Sequence, residues 1–474
     1  MERLARLGAH VHGGAPEPSP AAASLPSWAE GLTPNIAKML TAPAALAAKS
    51  LPEISVEEAR ANLSKDVTDE MWGPHPHTAK RDVLIQVYEG GKVNMRIYTP
   101  LSEPEKALLE RVSSEQVLDP ESPAVLDLDE IVAMIDDVWD FIPTAFSTGT
   151  LQNAAGENER SLKVLCWATL VGLSTEQALA LFGTLYTELE PEGDGHQNIR
   201  QLIAHGLSSF SVAPWPLRPR NPLPLFYHVH GGGWVVGDGI GTWDAQNQTI
   251  CDTLGCMVAH IDFRSAPEHM FPTAVEDCYD GLLWLSAEAG ALGADLSRLA
   301  VGGWSAGGNL AAVMALLARD RGGPDIVFQL LGIPVTDDDF DTASYLANAE
   351  HLGLTRRTMQ YFFDAYCGTG AEGDANRASP LACPLKADSL RDLPPALVQT
   401  MEFDPLRDDG WKYAARLREA GVAVNHVDYK GCTHGAFMSV AGAPEVFVIT
   451  HDAMQALGAA FGVPLSVGTA RFAA

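Results

Sequence analysis

The sequence predicts an α/β protein, a mainly parallel sheet with helices on both faces, interrupted by a smaller, mainly helical domain. Three observations carry this reading. From residue 216 onward, apolar strand-like runs alternate with segments of helical period, as in "LPLFYHVH", "CMVAHIDF", "RLAVGGW", "IVFQLLGIPV" and "PPALVQTMEF". Strands that are apolar nearly throughout belong to a parallel sheet covered on both sides. Residues 82–100, "DVLIQVYEGGKVNMRIYTP", alternate around a glycine turn, the pattern of a β-hairpin. Residues 101–200 differ from both: they hold 19 acidic and 5 basic residues and read mostly as helix.

Taken in order, residues 1–26 are Ala/Pro-rich and read as a disordered tail. Residues 27–101 hold helices and then the first strands; "ISVEEARANLSKDV" is an amphipathic helix opened by Ser55. Residues 102–215 form the acidic insert. It has a helix in "LDLDEIVAMIDDVWDFIP", two in "ERSLKVLCWATLVGLSTEQALALFG" and a fourth in "HQNIRQLIAHGLSSF". The stretch "SVAPWPLRPRNPLP" reads as a proline-rich linker back to the main domain, 216–474. The strands ending at Pro100 and starting at Leu223 are expected to be neighbours, which would bring the two ends of the insert together.

Composition narrows the function classes. A chain of 474 residues, 46% hydrophobic, can bury a large core in two or three domains. A net charge of −28 argues against nucleic acid and anionic membrane surfaces as partners. Seven scattered cysteines without a C-x-x-C pair read as reduced thiols in a cytoplasmic compartment. No apolar run reaches the ~18 residues of a membrane span. The N-terminus lacks a secretory h-region but leaves room for an organelle transit segment. A small-molecule partner is expected, and a homodimer is allowed.

The chemistry centres on "GGWSAGGNL", residues 302–310. "RLAVGG" is a strand and "NLAAVMALLARD" a helix, so Ser305 stands on the sharp turn between them, flanked by Gly303 and Gly307 where the backbones must approach closely. A serine hydroxyl needs a general base, itself oriented by a carboxylate. In an α/β-hydrolase these follow in the order Ser, Asp or Glu, His. Asp404 in "FDPLRDDG" and His434 in "GCTHGAF" each lie just past the C-terminal end of a strand. Asp408 and Asp409 fall on the next helix and read as its solvated N-terminal charges; His426 lies inside a strand and reads as structural. "HVHGGGWVVGDG", residues 228–239, puts glycines directly after a strand, where backbone N–H groups can face a developing oxyanion.

These residues resemble the hormone-sensitive lipase family of α/β-hydrolase esterases, through "HGGGW" at 230–234, "FRSAPEHMFPTAVEDCYDGLLWL" at 263–285, "GWSAGGNLAA", "LPPALVQTMEFDPLRDDG" and "HGA" at 434–436. The resemblance implies a triad of Ser305, Asp404 and His434, oxyanion donors at the N–H of Gly232, Gly233 and Ala306, and His230 bracing the loop. It also implies a lid built from helices near 27–65 and around "GLTRRTMQYFFDAYC". Three positions depart from the family: Trp304 stands where an acidic residue is usual, Phe263 replaces a tyrosine and Ala436 a phenylalanine. Trp304 is expected to add bulk beside Ser305 and to restrict the acyl pocket.

About 120 residues separate "RIYTP" from "PLFYHVH", where the family has a short loop. The insert resembles the HopJ family of type III effectors through "DFIPTAFSTG", "LQNAAGENERSLKVLCWATLVGLS", "ALFGTLY" and "GDGHQNIRQLIAHG". That family brings no activity to carry over. Asn153, Glu157, Asn158, His196 and Asn198 could form a polar site, or cap helices and hold loops; one histidine among scattered carboxylates does not make a metal site. The expected function is a serine carboxylesterase for short- to medium-chain acyl esters, without metal or cofactor. The alternatives are a non-catalytic receptor on the same fold, or an amide or formamide hydrolase using the same triad.

Overall fold

The computed structural model describes residues 78–114, 126–187, 195–350, 352–436 and 444–463, with residues 32–34, 36, 53, 55–61, 189 and 465. The expected disordered tail and most of the expected N-terminal lid lie outside the described residues. Among the described residues the strands are β1 (Thr78–Gln86), β2 (Lys92–Pro100), β3 (Trp139–Phe141), β4 (Phe146–Thr148), β5 (Leu151–Asn153), β6 (Phe210–Val212), β7 (Leu217–Pro219), β8 (Leu223–Val229), β9 (Met257–Asp262), β10 (Ala294–Trp304), β11 (Phe328–Gly332), β12 (Ala396–Phe403) and β13 (Val424–Thr433).

Eight of these form the main sheet, in the order β1-β2-β9-β8-β10-β11-β12-β13. The β1–β2 hairpin is antiparallel and joins β9 antiparallel; the remaining pairings are all parallel. Parallel strands need crossovers; the helices Asp244–Leu254, Thr273–Leu292, Ala306–Arg321 and Arg407–Glu419 supply four, and the helices Ala343–Ala347, Arg356–Cys367 and Gly370–Arg377 lie in the fifth, from β11 to β12. Because helices cover both faces, a central strand such as β8 is buried at every position after its first. One core cluster joins Tyr227, Val301, Leu310 and Tyr413, with helices 273–292, 306–321 and 407–419; the other joins Phe226, Leu330, Trp304 and Leu457, with helices 244–254 and 444–461. All seven cysteines are free and buried. No helix among the described residues is long and apolar enough to cross a membrane.

The insert packs a third core cluster of its own, including Ile135, Trp139, Trp167, Phe182 and Leu202. Its centre is the carboxylate of Glu105, fully buried, which accepts from the indoles of Trp139 (2.7 Å) and Trp167 (2.9 Å) and from Ser102, the N-cap of its own helix. Besides its helices the insert carries two small sheets, β3–β7 and β5-β4-β6.

Two expectations are corrected here. "SVAPWPLRPRNPLP" is not a free linker: β6 pairs with β4, and β7 pairs with β3, with Leu217 opposite Phe141 and Pro219 opposite Trp139. Prolines do not bar a short edge strand, so composition misled. The insert's pairing therefore runs past residue 215. Nor are the strands ending at Pro100 and starting at Leu223 neighbours, because β9 lies between β2 and β8. The register places Tyr98 opposite Val258, which pairs with Phe226, so the ends of the insert lie two strand spacings apart, ~10 Å. Both ends emerge at the N-terminal ends of the parallel strands. There the insert is fastened by the Lys106–Asp252 ion pair (2.7 Å), by Arg218 donating to the Gly290 carbonyl (3.2 Å) and by Ala79 in its core.

Candidate active site

The opposite edge, at the C-terminal ends of the strands, gathers the candidate residues. Ser305 follows the last residue of β10 and precedes the helix Ala306–Arg321. Its backbone has φ 59° and ψ −121°, a region that costs a non-glycine residue roughly 1–3 kcal/mol. Hydrogen bonds hold it there: Ser305 N–H donates to Gly332 O (2.8 Å), and Asn309 N–H donates to Ser305 O (3.0 Å). The flanking glycines are obligatory on steric grounds. A Cβ on Gly303 or on Gly307 would stand 2.1 Å from the Val229 carbonyl oxygen.

The hydroxyl of Ser305 lies 3.0 Å from His434 Nε2, and His434 Nδ1 lies 2.8 Å from Asp404 Oδ2. A carboxylate can only accept, so Nδ1 carries the proton and Nε2 is left to accept from the serine O–H. Asp404 is sealed from solvent, and its second oxygen accepts from Leu406 N–H (2.9 Å). The sequence placed Asp408 and Asp409 in water, and the structure corrects this for Asp409. Asp409 is 1% exposed, and its carboxylate accepts from the N–H groups of Thr336 (2.9 Å) and Asp337 (3.0 Å). Burial raises its pKa well above the usual carboxylate range. Asp408 accepts from Ser344 N–H (3.0 Å). His426 lies in β13, 3.0 Å from the Thr400 hydroxyl.

The glycine loop after β8 crosses in front of Ser305. Gly232 (φ 112°) and Gly233 (φ 60°) adopt backbone that L side chains rarely take. The loop is packed to contact: a Cβ on Gly231 would meet the Trp304 carbonyl at 2.6 Å, and one on Gly233 the ring of Phe362 at 2.4 Å. The N–H groups of Gly232, Gly233 and Ala306 have no acceptor among the described residues. His230, fully buried, stacks on Phe263 at 4.2 Å and on Trp243 at 6.0 Å, and its Nδ1 lies 2.8 Å from Gly231 O. On the other side Trp234 stacks on Tyr366 (4.3 Å), so the helix Arg356–Cys367 clamps the loop through its aromatic face.

Below the loop, His228, His230 and His260 form a buried trio; His228 pairs with His260 across β8 and β9, with ring centroids 5.2 Å apart. Burial pushes His228 down to about 3 and lowers His230 and His260 as well, so all three are neutral near pH 7. Sequence reasoning did not single out His228 or His260, since a histidine inside an apolar strand gives no signal of its neighbours. Trp304 is 4% exposed and packs across Gly332 and against His228 (5.6 Å), in the core cluster that also holds Ala436, Leu32 and Ile36. Successive strand residues point to opposite faces, and Trp304 shares the face of Ala300 rather than that of Val301.

In the insert, Asn153 and Asn198 exchange reciprocal hydrogen bonds (3.1 Å each), Asn158 donates to Asn153 (2.7 Å) and Glu157 accepts from Ala154 N–H (2.9 Å). Asn158 and His196 precede helices 159–170 and 197–205 in left-handed backbone, without side-chain capping bonds. Asn158, His196 and Asn198 also line a cavity of about 540 Å³.

Comparison with known proteins agrees with this architecture. The alpha/beta hydrolase fold family matches residues 226–438, and the HopJ type III effector family matches residues 115–217. A carboxylesterase of Mycobacterium tuberculosis, NlhH, is 42% identical over 221 residues, 47% of this chain and 69% of the relative. An arylesterase of Saccharolobus solfataricus is 36% identical over 230 residues, 46% of this chain and 72% of the relative. Among solved structures, a thermostable esterase from Pseudomonas putida superposes with a TM-score of 0.62 at 26% identity, covering 91% of this chain and 98% of the other.

Proposed function

Because the chain belongs to the hormone-sensitive lipase-like family of α/β-hydrolase esterases, with a HopJ-type domain inserted, we propose that this carboxylic ester hydrolase works through Ser305, His434 and Asp404 on short- to medium-chain acyl esters. The observation that carries the reading is the continuous chain of hydrogen bonds from Ser305 Oγ through the imidazole to a sealed carboxylate, 3.0 Å and 2.8 Å.

In this mechanism Ser305 Oγ attacks the ester carbonyl while its proton passes to His434 Nε2. Asp404 holds the tautomer and stabilises the imidazolium. The carbonyl oxygen becomes an oxyanion and takes the N–H groups of Gly232, Gly233 and Ala306. The carbonyl re-forms, the C–O bond to the alcohol breaks, and His434 gives its proton to the leaving oxygen. Water, deprotonated by His434, then attacks the acyl-serine and releases the acid by the same steps in reverse. His230, stacked against Phe263 and Trp243, braces the loop that carries two of the donors. The steps need only the chain, the ester and water.

A panel of p-nitrophenyl esters against matched anilides tests the reading. Esters from acetate to about octanoate should turn over and anilides should not, and Ser305→Ala should lower kcat by roughly 10⁴-fold or more. Turnover of anilides at comparable rates would assign an amide hydrolase, and turnover of neither a receptor.

A further inference from the structure

One guanidinium ties three separate segments together at the back of the oxyanion loop. Arg60, in the short helix Val56–Ala61, donates from Nε to the Val235 carbonyl (3.0 Å) and from one terminal nitrogen to the Ala266 carbonyl (3.2 Å). The same guanidinium grips both oxygens of Glu268 (3.1 and 2.8 Å) and lies 3.4 Å from Asp238. Ala266 N–H in turn donates to the Trp234 carbonyl (2.8 Å). Successive carbonyls of the loop are thus held from outside, one of them by Arg60.

The loop's own geometry carries this restraint to the site. The Gly232 carbonyl accepts from Val235 N–H (3.1 Å) and Val236 N–H (2.9 Å). That carbonyl and the N–H of Gly233 belong to one planar peptide and point in opposite directions. The orientation of Gly233 N–H is therefore set by where Val235 and Val236 stand, and the Val235 carbonyl is fixed by Arg60. A cavity of about 340 Å³, lined by Arg60, Asp238, Asp262, Phe263, Ser265 and Glu268, lies at this corner, so little side-chain packing would replace the guanidinium if it were removed.

We propose that Arg60 is a positioning residue for the oxyanion hole, aligning the Gly233 N–H through the Val235 peptide, and that it makes the N-terminal segment part of the catalytic apparatus. The inference rests on the esterase reading above. Removing an oxyanion donor outright costs about 10²–10³-fold in kcat; misaligning one of three should cost about tenfold.

The experiment measures steady-state kinetics on p-nitrophenyl acetate for Arg60→Ala and Arg60→Lys, with wild type and Ser305→Ala as references. Arg60→Ala should lower kcat about tenfold with KM within twofold, and millimolar guanidinium should restore part of the loss. Arg60→Lys keeps the charge but not the fork, and should show the same selective fall in kcat. It stands in for Arg60→Ala if that variant does not fold. A kcat within twofold of wild type, or a change in KM alone, would overturn the proposal. An inactive wild type, or an active Ser305→Ala, would instead overturn the esterase assignment beneath it.

Discussion

Acidification should unfold this protein through the three histidines under the glycine loop. His228, His230 and His260 are at most 1% exposed, and His228 Nε2, His230 Nε2 and both nitrogens of His260 make no hydrogen bond among the described residues. Burial is the largest cause of each lowered pKa, and His228 is pushed down to about 3. In the unfolded chain the same imidazoles titrate near 6.5. Below that pH the unfolded state takes up protons that the folded state refuses, so stability is fully present above pH ~6.5 and is lost as pH falls toward 3. His228, held several units below its unfolded value, contributes about 1.4 kcal/mol per pH unit in that window, so roughly 2 kcal/mol would be gone at pH 5, and His230 and His260 act in the same direction. That is a sizeable part of the ~5–15 kcal/mol margin of a typical domain. Asp262 beside His230, and the buried Asp409, act with the opposite sign: burial raises both, so the fold regains stability as they protonate, and the net slope is shallower. Urea unfolding at pH 7.5, 6.0 and 5.0, for wild type and His260→Leu, reads the effect directly. His260→Leu should flatten the slope, with little loss at pH 7.5. A wild-type stability that is flat from pH 7.5 to 5.0, or an unchanged slope in His260→Leu, would refute the reasoning.

Three further outcomes follow from the packing. Gly307→Ala places a Cβ 2.1 Å from the Val229 carbonyl and must push the elbow off β8, so ester turnover should fall at least ~100-fold; near-normal kinetics would show that the turn can relax. Trp304→Ala should cost about 3–5 kcal/mol in urea unfolding, as for a large core side chain, yet leave the acyl-length profile unchanged, because the indole lies in the core. Replacing residues 103–216 by a Gly/Ser linker able to span ~10 Å should leave an active esterase, since the insert joins at the strand ends opposite Ser305. The replacement leaves β7 without its partner β3, and a folded but inactive product would show that the insert shapes the site.

Much of the site was legible because its signals are local or ordered along the chain. Gly303, Ser305 and Gly307 sit within one strand-turn-helix, and Asp404 and His434 each follow an apolar strand, so period and position sufficed. What escaped depended on contacts distant in sequence. Arg60 meets Val235 and Glu268 across 175 and 208 residues, and no local pattern announces such a pairing. Asp409 carries the residue type of a solvated helix start, yet the turn at Thr336 and Asp337 folds over it and supplies its donors. The strand β7 was hidden by its prolines, and the place of Trp304 by the question of which face of β10 it occupies. Strand order failed for a similar reason: adjacency in sequence suggested β2 beside β8, whereas β9 returns between them.

If Ser305 is the nucleophile activated by His434, an organophosphate bearing a p-nitrophenyl leaving group should label it. One equivalent of p-nitrophenolate should be released per chain, with complete loss of esterase activity and the added mass on the peptide containing Ser305, and His434→Ala should be labelled far more slowly. Ester turnover that persists after stoichiometric labelling, or label carried by a residue other than Ser305, would contradict that assignment.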